Sequence, residues 1–198
     1  MDLLTRLRQL LRAPVEPERM LRSVASLLAV EIGQYCIADV MDRTGTVRRL
    51  GIEHADPSLR ARLLVACEDA ELAPEGRVAR LFRAGGAELV ARVSEATAAR
   101  QLGDIRLLKD ERVRSYMAAS VVVSGAPWAV LTLAATHGTR RYDEGELSFL
   151  EGVAEWVGLG IENALRREAQ PRASVAPPAD DDAAPASRRS SRLGAHRS

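Results

Sequence analysis

Residues 115–136 read SYMAASVVVSGAPWAVLTLAAT. Two apolar, partly β-branched runs flank Ser124-Gly125-Ala126-Pro127, four residues that favour a turn. The spacing predicts strands over 115–123 and 128–136, joined as a hairpin. A second hairpin is predicted upstream, with strands over 34–42 and 46–55 around Arg43-Thr44-Gly45. If Gly45 takes the left-handed position of a three-residue loop, residues pair 42–46, 40–48, 38–50, 36–52 and 34–54. That register gathers Cys36, Ala38, Val40, Leu50 and Ile52 on one face, the apolar set a core requires. Strands that follow one another as hairpins imply an antiparallel sheet.

Helical periodicity brackets these strands. Leu3, Leu4, Leu7, Leu10 and Leu11 mark a short amphipathic helix that Pro14 stops. A second helix starts around Glu16 and Pro17, carries Met20, Leu21, Val24, Leu27 and Leu28 on one stripe, and ends near Gly33. Residues 57–70, with Asp56 as N-cap, and 76–84, closed by Gly85-Gly86, read as two more helices. Residues 88–93 read as a short strand, and 94–112 as a polar loop with one or two helical turns. The final helix runs from near Asp143 to about Ala169. Its Leu147, Leu150, Ala154, Val157, Ile161 and Ala164 step by alternating threes and fours, a heptad seam that suits pairing with a second chain. The expected class is α+β, an antiparallel sheet with the terminal helices packed on one face.

The chain has 198 residues, 46% of them hydrophobic, enough for one domain with a sizeable core. Its formal charge of +1 excludes a polybasic nucleic-acid binder. Lys109 is the sole lysine among 28 basic residues, which points to a GC-rich coding bias rather than to chemistry. No secretory leader and no apolar run of about 20 residues is present, so a cytoplasmic protein without a membrane contact is expected. Three parts follow: an amphipathic helix over 1–14, a domain over 15–169, and a tail over 170–198. The tail reads QPRASVAPPADDDAAPASRRSSRLGAHRS, too poor in large apolar residues to offset its ordering entropy, and is expected to be disordered. Its Ser187-Arg188-Arg189-Ser190-Ser191-Arg192 run could draw a basophilic kinase or an acidic partner. Without aromatic side chains for base stacking, it argues against nucleic acid.

The order of these pieces resembles a GAF domain. The resemblance is carried by 34–42 with the Gly45 turn, by Arg114-Ser115-Tyr116-Met117-Ala118-Ala119-Ser120-Val121, and by Gly125-Ala126-Pro127-Trp128-Ala129-Val130-Leu131-Thr132-Leu133. Arg141-Tyr142-Asp143-Glu144-Gly145-Glu146-Leu147 and the helix end Gly160-Ile161-Glu162-Asn163-Ala164 complete it. It covers about residues 15–168. It implies a central antiparallel sheet with a small-molecule pocket on one face, roofed by helices and loops, and terminal helices on the other that pair two chains. The implied role is a sensory or regulatory module acting on a signalling partner, here without an output domain after it.

Ligand contacts are expected from Arg114, Tyr116 and Ser120, which alternate along one strand: Arg114 for an anionic group, Tyr116 for stacking or a hydroxyl contact. The plainer role for Arg114 is a surface pair with Asp110 or Glu111. The cofactor is left unassigned, because haem, bilin and metal signatures are absent. His54, expected opposite Gln34, His137 and His196 share no ligand spacing, and Asp110, Glu111 and Arg112 stand where haem-binding relatives carry a histidine. The stretch Thr139-Arg140-Arg141-Tyr142-Asp143-Glu144 keeps an aromatic and an acidic pair but lacks the Asn-Lys of cyclic-nucleotide binders. A separate reading is a thiol reductase of the free methionine sulfoxide type using Cys36 or Cys67. A third is a ligand-free dimeric scaffold that displays the tail. The leading expectation remains a homodimeric sensor, not an enzyme, in which a ligand selects one packing of the 94–112 loop and the terminal helices.

Overall fold

Asp2 accepts a hydrogen bond from the Thr5 amide at 2.9 Å and so caps the first helix, α1 (Leu3–Arg12). Glu16 does the same for α2 (Pro17–Glu31), taking the Glu18 and Arg19 amides, with Pro17 at the first helical position. Then come β1 (Tyr35–Met41), β2 (Val47–His54), α3 (Pro57–Cys67), α4 (Arg77–Ala84), β3 (Ala87–Val90), β4 (Ser115–Val123), β5 (Ala126–Ala135) and α5 (Glu144–Ala169). This computed structural model describes residues 2–32, 35–42, 44–67, 76–94, 113–136 and 140–169, without the side chains of 62 and 64–67. The expectations for 95–112, His137, His196, the Cys67 thiol and the 170–198 tail lie outside the described residues.

All strands join one antiparallel sheet in the order β2-β1-β5-β4-β3. On one face α2 and α5 lie against the strands and α1 packs on both helices. Met20, Leu21, Val24 and Leu28 of α2 and Leu150, Val153, Ala154, Val157 and Ile161 of α5 meet Cys36, Ala38, Val40, Met117, Val121 and Leu131 in one apolar cluster. The other face carries α3 and α4 and two smaller clusters. Leu59 and Leu63 lie with Tyr35, Ile37, Ile52 and Tyr116, while Val78, Leu81 and Phe82 lie with Ala118 and Val130.

Two details differ from the expectations, both through β-bulges. The first hairpin keeps the expected register near its turn, Val40 opposite Arg48, but slips by one between Ala38 and Asp39. Leu50 takes the extra position, so Cys36 faces Glu53 rather than Ile52, and His54 faces Tyr35 rather than Gln34. Leu50 stays on the α2 face while Ile52 turns to the α3 face. In the second hairpin the turn is Ser124-Gly125 alone, both with positive φ (51° and 80°), the pattern of a tight two-residue hairpin. Pro127 therefore sits inside β5, beside the register shift at Val121/Val122, where its missing N–H does least harm. The expected strand over 88–93 is Ala87–Val90.

The heptad seam of α5 also has a different destination. Leu150, Ala154, Val157 and Ile161 are at most 2% exposed, buried against the sheet of their own chain. Sheet cover alone accounts for their period. The outer face of α5 instead presents Trp156 and Leu159, 36% and 53% exposed.

Candidate functional site

The α3/α4 face of the sheet is apolar at both ends and polar in the middle. The strand register puts Asp39, Ile37 and Tyr35 of β1 beside Val130, Thr132 and Ala134 of β5, and these beside Ser120, Ala118 and Tyr116 of β4. Asp39 and Thr132 are fully buried there, and Arg77 is 2% exposed. Asp39 pairs with Arg49 across the first hairpin, Arg49 Nε donating to Asp39 Oδ1 at 3.0 Å with both side chains out of solvent.

Arg77 comes from the first turn of α4, whose N-cap is Gly76. Its Nη1 donates to Thr132 Oγ1 at 3.1 Å, and its guanidinium carbon lies 5.0 Å from the centre of the Tyr116 ring. The Tyr116 hydroxyl donates to Glu88 Oε1 at 3.2 Å, and Arg80 Nη2 reaches both Glu88 oxygens at 3.3 Å. Burial, and next the Glu88 charge, push the Tyr116 phenol well above its usual range, so it is a neutral donor at physiological pH. The result is a polar notch in an otherwise apolar face, with the buried Arg77 guanidinium between the Thr132 hydroxyl and the Tyr116 ring. A guanidinium held this way is a donor suited to a neutral acceptor or a carboxylate.

Of the residues expected to bind, Tyr116 and Ser120 share this face, but only Tyr116 belongs to the notch. Ser120 Oγ donates to the Leu81 carbonyl at 3.1 Å and ties the last turn of α4 to β4. Arg114 precedes β4 at the sheet end, its side chain exposed and its backbone paired with Val93 and Ala135. Sequence reading missed Asp39, Arg49, Arg77 and Thr132. A lone acid in the apolar run of β1, opposite the Arg48-Arg49 pair of β2, was the available signal. Nothing local marks Arg77, whose position depends on how α4 docks.

Of the two cysteine candidates, Cys36 can be placed by its neighbours. Cys36 is fully buried on the α2 face, and burial, then the Glu53 and Asp39 charges, push its thiol far above the usual range. No group of three His, Cys, Asp or Glu able to hold a metal occurs among the described residues. No helix among them is long and apolar enough to cross a membrane.

A sheet in this order, with terminal helices on one face and smaller helices over a polar centre on the other, defines a mixed α+β module. The GAF domain family model matches residues 16–161, and the chain belongs to this family of sensory and regulatory modules found in signalling proteins. Solved structures agree in fold. The GAF domain of an Acinetobacter phosphoenolpyruvate-protein phosphotransferase superposes with a TM-score of 0.61 at 16% identity, over 83% of this chain and 93% of that one. The free methionine-R-sulfoxide reductase from Neisseria meningitidis, solved with its substrate, gives 0.60 at 15%, over 85% and 89%. The phycoerythrobilin-bound GAF domain of a cyanobacterial phytochrome gives 0.60 at 13%, over 85% and 98%. No curated protein matches the chain in sequence.

Proposed function

We propose that this chain is a cytoplasmic sensory or regulatory module of bacterial signalling that binds a small molecule in the notch between α3, α4 and the sheet. The observation that carries this reading is the contrast between the two sheet faces. The α2/α5 face is one continuous apolar cluster, whereas the α3/α4 face buries Asp39, Arg49, Arg77 and Thr132 at its centre. Buried charge costs several kcal/mol of desolvation per ion, and an apolar centre would serve a purely structural face better. The polar centre serves recognition, with Arg77 as the anchor for an acidic or acceptor group. Native mass spectrometry of freshly purified protein, followed by the same sample denatured, tests this directly. A small-molecule adduct that leaves on denaturation and is missing from Arg77→Met supports the reading. An adduct equally retained by folded Arg77→Met refutes the assigned site, and a clean apo species favours an interaction scaffold.

A second element of the reading is homodimerisation, favoured by the exposed Trp156 and Leu159 on the outer face of α5. Arg8 of α1 flanks this strip, its guanidinium carbon 6.0 Å from the Trp156 ring centre. Two copies meeting along α1 and α5 would cover it. The thiol-reductase alternative needs an attacking thiolate, and burial keeps Cys36 from supplying one. That alternative rests on Cys67; full turnover by Cys67→Ser would remove it.

A further inference from the structure

At the β2 edge of the sheet, between α1, α2 and α3, lies a groove of about 620 Å³, separate from the polar notch. Leu10, Leu27 and Val30 supply its apolar part, and Val30 is 55% exposed. Arg6, Arg22 and Arg60 ring it. Arg6 pairs with Glu31 and Arg60 with Glu53, but Arg22 makes no ion pair among the described residues. Three guanidiniums against two carboxylates leave the groove positive, with an apolar strip beside the charge.

The chain itself supplies a segment of complementary chemistry. Beyond α5 it continues as QPRASVAPPADDDAAPASRRSSRLGAHRS, whose only acids are Asp180, Asp181 and Asp182. Val175, Pro177 and Pro178 precede them, a partly apolar stretch whose two prolines lower the backbone entropy that docking must remove. We propose that residues 175–182 occupy this groove in the same molecule, the aspartates facing Arg6, Arg22 and Arg60 and the Val-Pro stretch lying on Leu10, Leu27 and Val30.

Reach permits it. Gly160 of α5 sits against Leu11 and Met20, which fixes α5 beside the α1–α2 pair. Ala169 lies nine residues further on, about 14 Å along the helix, and Arg6 lies about 8 Å back from Leu11 along α1. Adding a helix–helix spacing of about 10 Å puts the groove about 25–30 Å from the end of α5. The eleven-residue path from Ala169 to Asp180 spans up to about 36 Å. The tail would thereby report on, and be released by, changes in the α1–α2 surface or in ionic strength.

Cysteine cross-linking in the full chain tests this. Val30→Cys and Ala183→Cys are introduced together with Cys67→Ser, leaving the buried Cys36. Disulfide formation under mild oxidation is then followed at low protein concentration and low salt. The intramolecular bond should form about ten-fold faster than when Asp180, Asp181 and Asp182 are replaced by Asn, a factor of about two for each exposed ion pair. Arg22→Glu, exposed and outside the core, should slow it as well, and about 1 M salt, with a screening length near 3 Å, should erase the difference. Equal rates with and without the acidic triad at low salt, or no intramolecular bond, would overturn the proposal. A bond that forms only between two molecules would assign the groove to the tail of a second copy and overturn it too.

Discussion

Gly158 offers a stringent test of how α5 is seated. A Cβ added there would lie 2.2 Å from the Val122 carbonyl oxygen and 3.2 Å from its carbon. Both obstacles are backbone, so no rotamer change relieves them. Gly158→Ala must lift α5 from β4 by at least about 0.8 Å to restore a contact of about 3 Å. A gap of that size forfeits about a quarter to a half of the contact energy across it. Shared over Val153, Ala154, Val157 and Ile161, which face the sheet, the loss is about 3–4 kcal/mol. The better helix propensity of alanine returns about 1 kcal/mol, leaving a net cost of about 2–3 kcal/mol. The Tm should fall by about 5–10 °C for a domain of this size. Gly152 is the internal control: it lies on the same helix with nothing within 4 Å of an added Cβ. Gly152→Ala should therefore stabilise by about 0.5–1 kcal/mol. Urea unfolding of both variants by circular dichroism decides the matter. Gly158→Ala as stable as Gly152→Ala would mean that α5 does not rest on the Val122 bulge as described.

Further expectations follow from the polar notch, the buried thiol and the outer strip. Asp39→Asn should cost about 3–5 kcal/mol in chemical denaturation, because it removes the carboxylate that balances the buried Arg49; a loss under 1 kcal/mol would mean the pair is solvated. The folded state holds Cys36 protonated while the unfolded thiol ionises near its ordinary value of 9.0, so folding stability should fall as pH rises past about 9. Tyr116 and Tyr142, also raised by burial from 10.0, should steepen that fall above about pH 10, and a flat profile of urea midpoints from pH 8 to 10.5 would refute both assignments. In the same folded protein Cys36 should resist iodoacetamide at pH 8 and react only after unfolding, as read by peptide mass mapping. Trp156→Asp with Leu159→Asp should convert a dimer to a monomer in sedimentation velocity without lowering Tm, whereas Ala154→Asp should unfold the domain; dimers that survive the first pair would place the interface elsewhere.

Much of the architecture was legible because local signals agreed with one another. Glu16, Asp56 and Asp143 all sit at the helix starts read from the sequence. Asp143 and Glu146 exchange hydrogen bonds at 2.9 and 3.2 Å, and Asp56 takes the Ser58 amide at 2.8 Å. Both hairpins were legible from turn residues and alternation. What failed were features that need one residue more or less than strict alternation, the two bulges, because an apolar residue such as Leu50 fits either face until its neighbours are fixed. The α5 seam was read correctly as a period and wrongly as a direction, since a 3,4 spacing does not say whether a sheet or a second helix lies beneath it. Within the notch, Tyr116 was legible from its place on β4. Arg77 and Thr132 were not, since they stand 55 residues apart with no local mark of their pairing and only the docking of α4 brings them together.

The slip at Leu50 has a consequence for how the molecule behaves in a crowd. β2 is an outermost strand, and an outermost strand with free amides invites a neighbour's strand to join it. Because of the extra residue, β2 sends Leu50 into one layer and Ile52 into the other, so it is riveted from both sides. Exposed Arg48 adds charge to the same strand, and a bulge interrupts the even row of backbone groups that a passing strand would have to match. The sheet is thus closed to strand-by-strand growth along this border, and contacts with other molecules are left to helices.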